Sequence, residues 1–295
     1  MVAAGFDGCR RRLPHYRRNC FELEDSEVGG IERFYFIGLQ WFIFIVFIWG
    51  ARFYPRNPQP TWSKDTLLNA GVNLWLHAVK LFLILPLIFH LDIWYFQHHG
   101  NVPRLFKLEG MDPVWQFIAI FLVDDLLVYW VHRAEHAFPF MWTFHRVHHS
   151  TEKMDASSAE RAHPVESLYE YLFVHFVYSS GTPLPVLVSY VTVRWISGAW
   201  RHSNFDFPMS SRWARAVNRV VNNPHFHGWH HVNHPSAYGK NYGSMLTIWD
   251  RLFGTHLDTD KKPEGFGLDE NYALRNRFLG LNLLIARANP SQRPW

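Results

Sequence analysis

Residues 114–136 read VWQFIAIFLVDDLLVYWVHRAEH, an apolar stretch that leads directly into two histidines. The part up to Val131 approaches the ~20 residues that a helix needs to cross the hydrocarbon core of a bilayer. His132 and His136 are four residues apart, so a helix brings their side chains to one face. The stretch therefore predicts a membrane helix that carries two candidate metal ligands at its end.

Three further apolar stretches favour a helical membrane protein. Phe34–Ala51 contains no charged residue and is long enough to cross a bilayer. Leu67–Phe96 is interrupted by Lys80 and by Pro86, and proline is a common cause of helix kinks. Leu168–Trp200 has glycine and prolines at its centre, a pattern typical of a helical hairpin. We predict an all-α fold, an integral membrane bundle of about four membrane helices or hairpin segments with a polar helical cap.

The composition agrees with a membrane bundle that carries a cap. The 295 residues are 48% hydrophobic and 17% aromatic, yet the mean hydropathy is −0.14, so a sizeable polar part is expected. We expect a polar N-terminal segment over residues 1–30 and a single membrane domain over residues 31–295. Within that domain, the core that bears the motifs covers about residues 114–256.

The charge distribution argues against a nucleic-acid partner. The formal net charge is +4, and the basic residues are scattered except for five arginines near the N-terminus. Those arginines favour a cytoplasmic N-terminus, whereas three alternating spans that end at a cytoplasmic His132 would place it outside. A second segment that re-enters at Pro86 would reconcile the two, and the side of the N-terminus stays open. Cys9 and Cys20 offer neither a disulfide framework nor a cysteine-based zinc site.

Nineteen histidines are present, and nine of them follow a recurring pattern. The pair that ends the quoted stretch is followed by two HxxHH groups, which begin at His145 and His227. In such a group the two adjacent rings diverge by ~100° on a helix and can reach two different ions. Together with one histidine after the predicted hairpin, the candidate ligands are His132, His136, His145, His148, His149, His202, His227, His230 and His231.

The number of candidate ligands indicates two metal ions. Nine imidazoles are too many for one ion and suit two ions that keep open coordination positions. Imidazole binds iron, copper, nickel or zinc, so the ligand type alone leaves the metal open. Several of these histidines adjoin the ends of predicted membrane segments. A dinuclear metal site at one face of the membrane is therefore expected.

The order of the motifs resembles that of the fatty acid hydroxylase/sterol desaturase superfamily of membrane di-iron enzymes. The resemblance covers about residues 114–256, with the motifs DLLVYWVHRAEH, WTFHRVHHS, RAHPVE, WRHSN and HFHGWHH, followed by GKNYGSMLTIWDRLFGT. Three residues separate the histidines of the first motif, as in the branches that oxidise sterols and alkylglycerols. Fatty acid 2-hydroxylases usually have four.

The resemblance implies O2-dependent hydroxylation of a C–H bond in a membrane lipid such as a sterol, an ether lipid or a fatty acyl chain. It implies two iron ions, which zinc can replace in purified protein, with O2 as co-substrate. Because no cytochrome b5 segment is recognisable, a separate donor of ferredoxin or cytochrome b5 type with its reductase is expected. The expected location is a multi-pass position in the endoplasmic reticulum or a bacterial inner membrane, with the metal site facing the cytoplasm.

The family pattern also suggests residues that support the ligands. His163 of the HPVE sequence is either a tenth ligand or a residue that holds Glu166 in place. Asp125 and Tyr129 share a helical face with the first histidine motif and are predicted partners of the far ring nitrogens. For Asp125 the alternative is a buried hydrogen bond between helices. Asn204 is predicted to contact the metals through water or to support a ligand.

Alternative functions differ in how they would use the same histidines. A desaturase of the same family would need the same site, because the outcome depends on small differences in substrate position. A histidine-based membrane metal transporter is an alternative of another class, although transport sites usually lie near the bilayer midplane. A zinc hydrolase would turn over without oxygen or a reductant.

Overall fold

A computed structural model describes residues 28–100 and 106–268, with side chains from Ile37 onwards apart from some in residues 173–178. Over these residues the secondary structure is helical, and β-structure is limited to isolated bridges. The predicted all-α fold is confirmed for this part of the chain. Most of the predicted N-terminal segment, with both cysteines, lies outside the described residues. Two compact units divide after Trp41, and the second contains every histidine motif.

The described residues contain ten α-helices and two shorter helical turns. They are α1 Val28–Gly50, α2 Lys64–Val79, a π-helical turn Lys80–Ile84, α3 Leu85–His99, α4 Pro113–Ala137, α5 Pro139–His149, a 3₁₀ turn Ala156–Glu160, α6 Pro164–Tyr178, α7 Leu184–His202, α8 Arg212–Asn218, α9 Pro224–His230 and α10 Ile248–Leu252. Several of these helices have proline in the first turn, where its missing N–H is not needed.

The second apolar segment is one continuous helical run through α2, the π turn and α3. Ser63 begins it with a capping box, in which its hydroxyl accepts from Thr66 N at 3.0 Å. At both junctions, Lys80 and Leu85 keep right-handed helical dihedrals. The π-helical turn directly precedes Pro86, so a local change of helix type accommodates the proline. The run has no re-entrant break at Pro86.

Two helical runs are long and apolar enough to cross a membrane, Lys64–His99 and Pro113–Ala137. Only 22% and 28% of their most apolar windows are buried, and Phe82 exposes 71% of its surface. The core helix of a soluble protein would bury such residues, so these exposed apolar faces suit contact with lipid. α1 adds a shorter apolar helix, Ile37–Gly50. The number of four membrane helices or hairpin segments stays a prediction.

The polar cap surrounds the carboxyl end of α4. This helix continues to Ala137, beyond the end of its apolar part at Val131. It stops there because Phe138, which precedes Pro139, is extended. α5 then packs against α4, and α9 packs against α7. Asn223 starts α9 by accepting hydrogen bonds from two main-chain N–H groups of its first turn. These contacts bring the distant histidine motifs to one place.

Candidate metal centre

The nine predicted ligands form two buried groups. Within each group the candidate ligand atoms all lie within 4.8 Å of one another. The first group consists of His132, His136, His145, His149 and His230, and the second of His148, His202, His227 and His231. Five rings and four rings are enough for two metal ions.

Helix periodicity accounts for the division into two groups. In α5, His145 and His149 are one turn apart and belong to the first group, whereas His148 belongs to the second. At α9 the arrangement is reversed, since His230 joins the first group and its two partners in the motif join the second. Each HxxHH motif therefore contributes to both groups.

Main-chain carbonyl groups orient four of the rings. The Nδ1 atoms lie 2.8–3.1 Å from carbonyl oxygens in the pairs His132 with Tyr242, His148 with Arg161, His202 with Gly198 and His230 with Lys240. A carbonyl oxygen only accepts, so Nδ1 of each ring carries the proton and Nε2 keeps its lone pair. Nε2 is therefore the atom that these rings offer to a metal.

The second group fits a metal ion closely. Successive Nε2 atoms along His148, His202, His227 and His231 are 2.9–3.1 Å apart. In the first two rings both Nε2 atoms bear lone pairs, so no proton is available to join them. About 3 Å is also the separation expected for adjacent nitrogens around an ion bound at ~2.1 Å. A cation between these atoms would turn a repulsive arrangement into a favourable one.

The first group offers unpartnered nitrogens of the same kind. Nε2 of His132 and Nε2 of His230 are buried and have no hydrogen-bond partner in the protein. Burial lowers the pKa of His230 to about 4 and that of His148 in the second group to about 3. Both groups therefore present neutral imidazoles near neutral pH, which is the state that binds a metal.

Two buried carboxylates hold the ring of His145. Its Nδ1 lies 2.8 Å from Glu166 Oε1 and 3.2 Å from Glu135 Oε2, and the hydroxyl of Tyr169 donates to Glu135 Oε1 at 2.8 Å. A carboxylate acceptor makes an imidazole a stronger ligand. Glu135 and Tyr169 were not predicted from the sequence. The signal that could have indicated Glu135 is its position in the HRAEH motif, three residues after His132.

Asp125 lies on the predicted face of α4, but its partners are elsewhere in the cap. Its carboxylate accepts from Met245 N at 2.7 Å, Leu246 N at 3.1 Å and Trp249 Nε1 at 2.8 Å. The contact with Trp249 joins α4 to α10. It matches the alternative expectation for Asp125, a buried hydrogen bond between helices. Asp125 thus anchors the segment that follows the last histidine motif.

Tyr129 and Asn204 also hold loops of the cap. The hydroxyl of Tyr129 lies 2.9 Å from Thr255 Oγ1. Asn204 accepts from the main-chain N–H of Asn57 at 3.1 Å and donates to its carbonyl at 2.8 Å. For both residues, a direct role beside the metals stays a prediction.

His163 lies outside both groups, at the start of α6. Its Nδ1 accepts from Val165 N at 3.1 Å, and its main-chain N–H donates to Glu166 Oε2 at 3.3 Å. Its ring packs against Phe144, with the centroids 4.8 Å apart. These contacts match the alternative in which His163 holds Glu166, and a role as a tenth ligand stays a prediction.

A pocket opens mainly onto the first group. It is lined by His136, His149, His230, His231, Trp142, Val232, Asn233, Ala237, Tyr238, Gly239, Gly267 and Leu268. The rings of Trp142 and Tyr242 lie 5.1 and 5.2 Å from that of His136. Neither aromatic residue was predicted to belong to the site, because each is one of many aromatics in the sequence. A small molecule can reach the first group from this side.

Known proteins share the histidine-bearing part of the chain. Residues 117–255 match the fatty acid hydroxylase family. The chain is 28% identical to alkylglycerol monooxygenase of Xenopus tropicalis over 206 residues, which are 69% of this chain and 43% of the relative. It is 28% identical to ornithine lipid hydroxylase OlsE of Rhizobium tropici over 142 residues, 48% of this chain and 41% of the relative. It is 30% identical to methylsterol monooxygenase 1 of Rattus norvegicus over 193 residues, 61% of each.

The family match covers the candidate ligands, and the similarity to the three relatives covers only part of their length. The chain spans less than two thirds of the length of each of these three proteins. No solved structure matches it. All nine histidines fall within residues 117–255, the part that matches the family. The match over residues 117–255 and the similarity to these monooxygenases and hydroxylases support placing the chain in the fatty acid hydroxylase/sterol desaturase superfamily.

Proposed function

We propose that this chain is an O2-dependent monooxygenase that uses two iron ions to hydroxylate a C–H bond of a membrane lipid. The observation that carries the proposal is the pair of adjacent histidine groups with their lone pairs turned inwards. The relatives named for alkylglycerol, ornithine lipid and methylsterol oxidation support a lipid substrate. A sterol, an ether lipid and a fatty acyl chain are the candidate substrate classes.

The residues of the chain position and tune the ligands. The carbonyl acceptors hold four of the rings in one tautomer, and Glu166 with Glu135 would increase the donor strength of His145. When bound, two ferrous ions would supply the electrons that activate O2 for attack on an unreactive carbon. The pocket, which is lined by His136, His149 and His230 of the first group and by His231 of the second, would direct O2 mainly to the first group.

The proposed setting is an integral membrane domain with its metal site at the cytoplasmic face. Four membrane helices or hairpin segments within residues 31–295 would give an apolar substrate a path from the bilayer. The membrane would be the endoplasmic reticulum or a bacterial inner membrane, according to the host. A separate donor of ferredoxin or cytochrome b5 type would dock on the polar cap.

Metal content and product analysis test the proposal. The full chain, purified anaerobically from iron-replete cells, should hold about two irons, and His148→Ala should lose at least one. His234→Ala is the matched control, because His234 is exposed and lies outside both groups. Host lipids oxidised under ¹⁸O₂ should gain one labelled hydroxyl. A new double bond without label would favour the desaturase, and zinc-dependent turnover without oxygen would contradict the proposal.

A further inference from the structure

A row of oxidisable aromatic rings joins the first histidine group to the protein surface. The ring of Tyr242 lies 5.2 Å from that of His136, centroid to centroid, and 6.3 Å from that of Tyr129. Trp130 follows at 5.5 Å from Tyr129 and exposes 44% of its surface. Tyrosine and tryptophan are the side chains that lose one electron most readily. The row is therefore a continuous path for single electrons.

The hydrogen bonds of Tyr129 have only one possible direction. Arg133 donates to its hydroxyl oxygen at 3.3 Å, and a guanidinium never accepts. Thr255 donates its single hydroxyl hydrogen to the Asp250 carboxylate at 2.7 Å. Its Oγ1 must therefore accept from the hydroxyl of Tyr129, at 2.9 Å. The phenol proton of Tyr129 thus has a ready route to a buried carboxylate.

This proton route separates a redox function from simple packing. Phenylalanine would fill the position of Tyr129 with nearly the same volume, and packing of the ring does not require a hydroxyl at Thr255. Asp250 also anchors the loop, because it accepts from Tyr242 N and Gly243 N, both at 2.7 Å. A tyrosine that loses an electron must lose its phenol proton as well. The buried chain of Tyr129, Thr255 and Asp250 provides that exit, and Asp250 is fully buried.

We propose that Trp130, Tyr129 and Tyr242 form a one-electron relay that protects the histidine site. The proposal rests on the proposed function, because the oxidant is the species generated from O2 at the histidine site when no substrate is bound. One electron passes from Tyr129 to that oxidant through the ring of Tyr242. At the same time, the phenol proton of Tyr129 passes to Thr255. The hydroxyl proton of Thr255 passes to Asp250.

The relay is completed at the surface. Trp130 returns one electron to Tyr129, and the protons move back from Asp250 through Thr255. Trp130 directly precedes Val131, the end of the apolar stretch, where tryptophan typically meets the membrane–water interface. Once oxidised by one electron, it loses its indole proton to interfacial water and is restored by a one-electron reductant such as ascorbate. Without a reductant it reacts further and keeps a stable oxidation mark. The histidine ligands are thereby spared.

The same helix supplies an internal control for this proposal. Trp115 lies in the first turn of α4 and exposes 62% of its surface, more than Trp130. It is about 22 Å from Trp130 along the helix axis. In detergent micelles, peroxide that escapes into solution reaches both ends of this helix and would therefore oxidise Trp115 at least as much as Trp130. A relay would mark Trp130 instead.

The experiment uses the full iron-loaded chain, reduced and exposed to O2 without lipid substrate or ascorbate. Oxygen uptake is followed, tryptophan oxidation is mapped by peptide mass spectrometry, and freeze-quenched samples are examined by electron paramagnetic resonance. We expect severalfold more oxidation at Trp130 than at Trp115, and a tyrosyl signal that ring-deuterated tyrosine narrows. Tyr129→Phe should lower Trp130 oxidation to the level of Trp115.

Thr255 provides a second variant that leaves every ring of the row in place. Thr255→Val should reduce Trp130 oxidation, and Thr255→Ser, which keeps the hydroxyl, should retain it. Oxygen uptake with equal marking of Trp130 and Trp115 would overturn the relay alone. An absence of oxygen uptake in the iron-loaded chain would overturn the proposed function and the relay with it.

Discussion

The two histidine groups lie side by side but are built differently. The second group has four rings, and their Nε2 atoms follow one another at 2.9–3.1 Å. The first group has five rings, a carboxylate pair behind His145 and a pocket beside His136. The closed group is suited to holding an ion firmly. The open group, with a spare ligand, is suited to exchanging ligands with O2.

The largest expected difference follows from removing one ring from each group. His202→Ala leaves three ligands in the second group, whereas His136→Ala leaves four in the first. We expect His202→Ala to lose one iron, with a loss of activity greater than the ~10–100-fold typical of outer partners. We expect His136→Ala to keep nearly two irons and to lose activity.

Iron per chain and hydroxylation rate measured on the same samples check this contrast. His234→Ala again serves as the control, because its ring is exposed and lies apart from the groups. Equal iron loss in both variants would show that the fifth ring of the first group is not spare. The comparison between a closed and an open group would then fail.

A smaller effect is expected at the carboxylate that only the first group has. Glu166→Ala removes the acceptor 2.8 Å from His145 Nδ1. Loss of such a partner typically lowers metal affinity ~10–100-fold, and here only one of the two irons should become labile to a chelator. Glu166→Gln keeps an acceptor oxygen and should fall between Glu166→Ala and the unchanged protein.

Competition with a chelator, followed over time, measures this prediction. Glu264→Gln is a suitable control, because Glu264 is exposed and belongs neither to a histidine group nor to the carboxyl pair behind His145. If both irons became labile together in Glu166→Ala, the two groups would behave as one cooperative site. The carboxylate would then not distinguish them.

The sequence could predict which histidines come together because their pattern within each motif is local, and their role as ligands stays a prediction. Within a helix, His145 and His149 must share a face, and the spacing separates His148 from His149. The apolar runs likewise predicted the longer helices among the described residues, but not the short helices α8, α9 and α10. The first inference uses sequence separations of four residues or fewer, and the second uses the hydrophobicity of one continuous stretch.

What holds the ligands could not be predicted in the same way. The acceptor for His132 is the carbonyl of Tyr242, 110 residues away, and any residue type can supply a carbonyl. Asp125 had the right position on α4 for a ligand partner, but it faces the N–H groups of the segment after the last motif. Which face of a buried helix meets which loop depends on the tertiary packing.

Acidification is expected to destabilise the metal-free protein through both groups. The unfolded chain binds protons at histidine below about pH 6.5, whereas burial lowers the pKa of His148 to about 3 and that of His230 to about 4. Protons therefore favour the unfolded state as pH falls from 6.5 towards 4. Each such ring should contribute a loss of about 1 kcal/mol per pH unit.

Unfolding of the metal-free protein in mixed micelles at pH 7.5, 6.5 and 5.5 measures this effect. The midpoint should change little between the two higher values and drop clearly at the lowest. His234→Ala should follow the same curve, because that exposed ring lies outside both groups. A midpoint that does not depend on pH would mean that the rings are accessible to protons in the folded state.

The smallest effect is expected at His163. A substitution there tests whether the nine grouped histidines are the complete set of ligands. His163→Asn removes the imidazole but keeps a side chain that can accept from Val165 N, and asparagine is a favourable residue before a helix. If His163 only holds α6 and Glu166, iron should stay at two per chain and stability should change by less than about 1 kcal/mol. If one iron were lost, His163 would be a tenth ligand that moves into place when metal binds. His163→Ala separates the two cases further, because it should lower stability by about 1 kcal/mol through the lost cap without changing iron content.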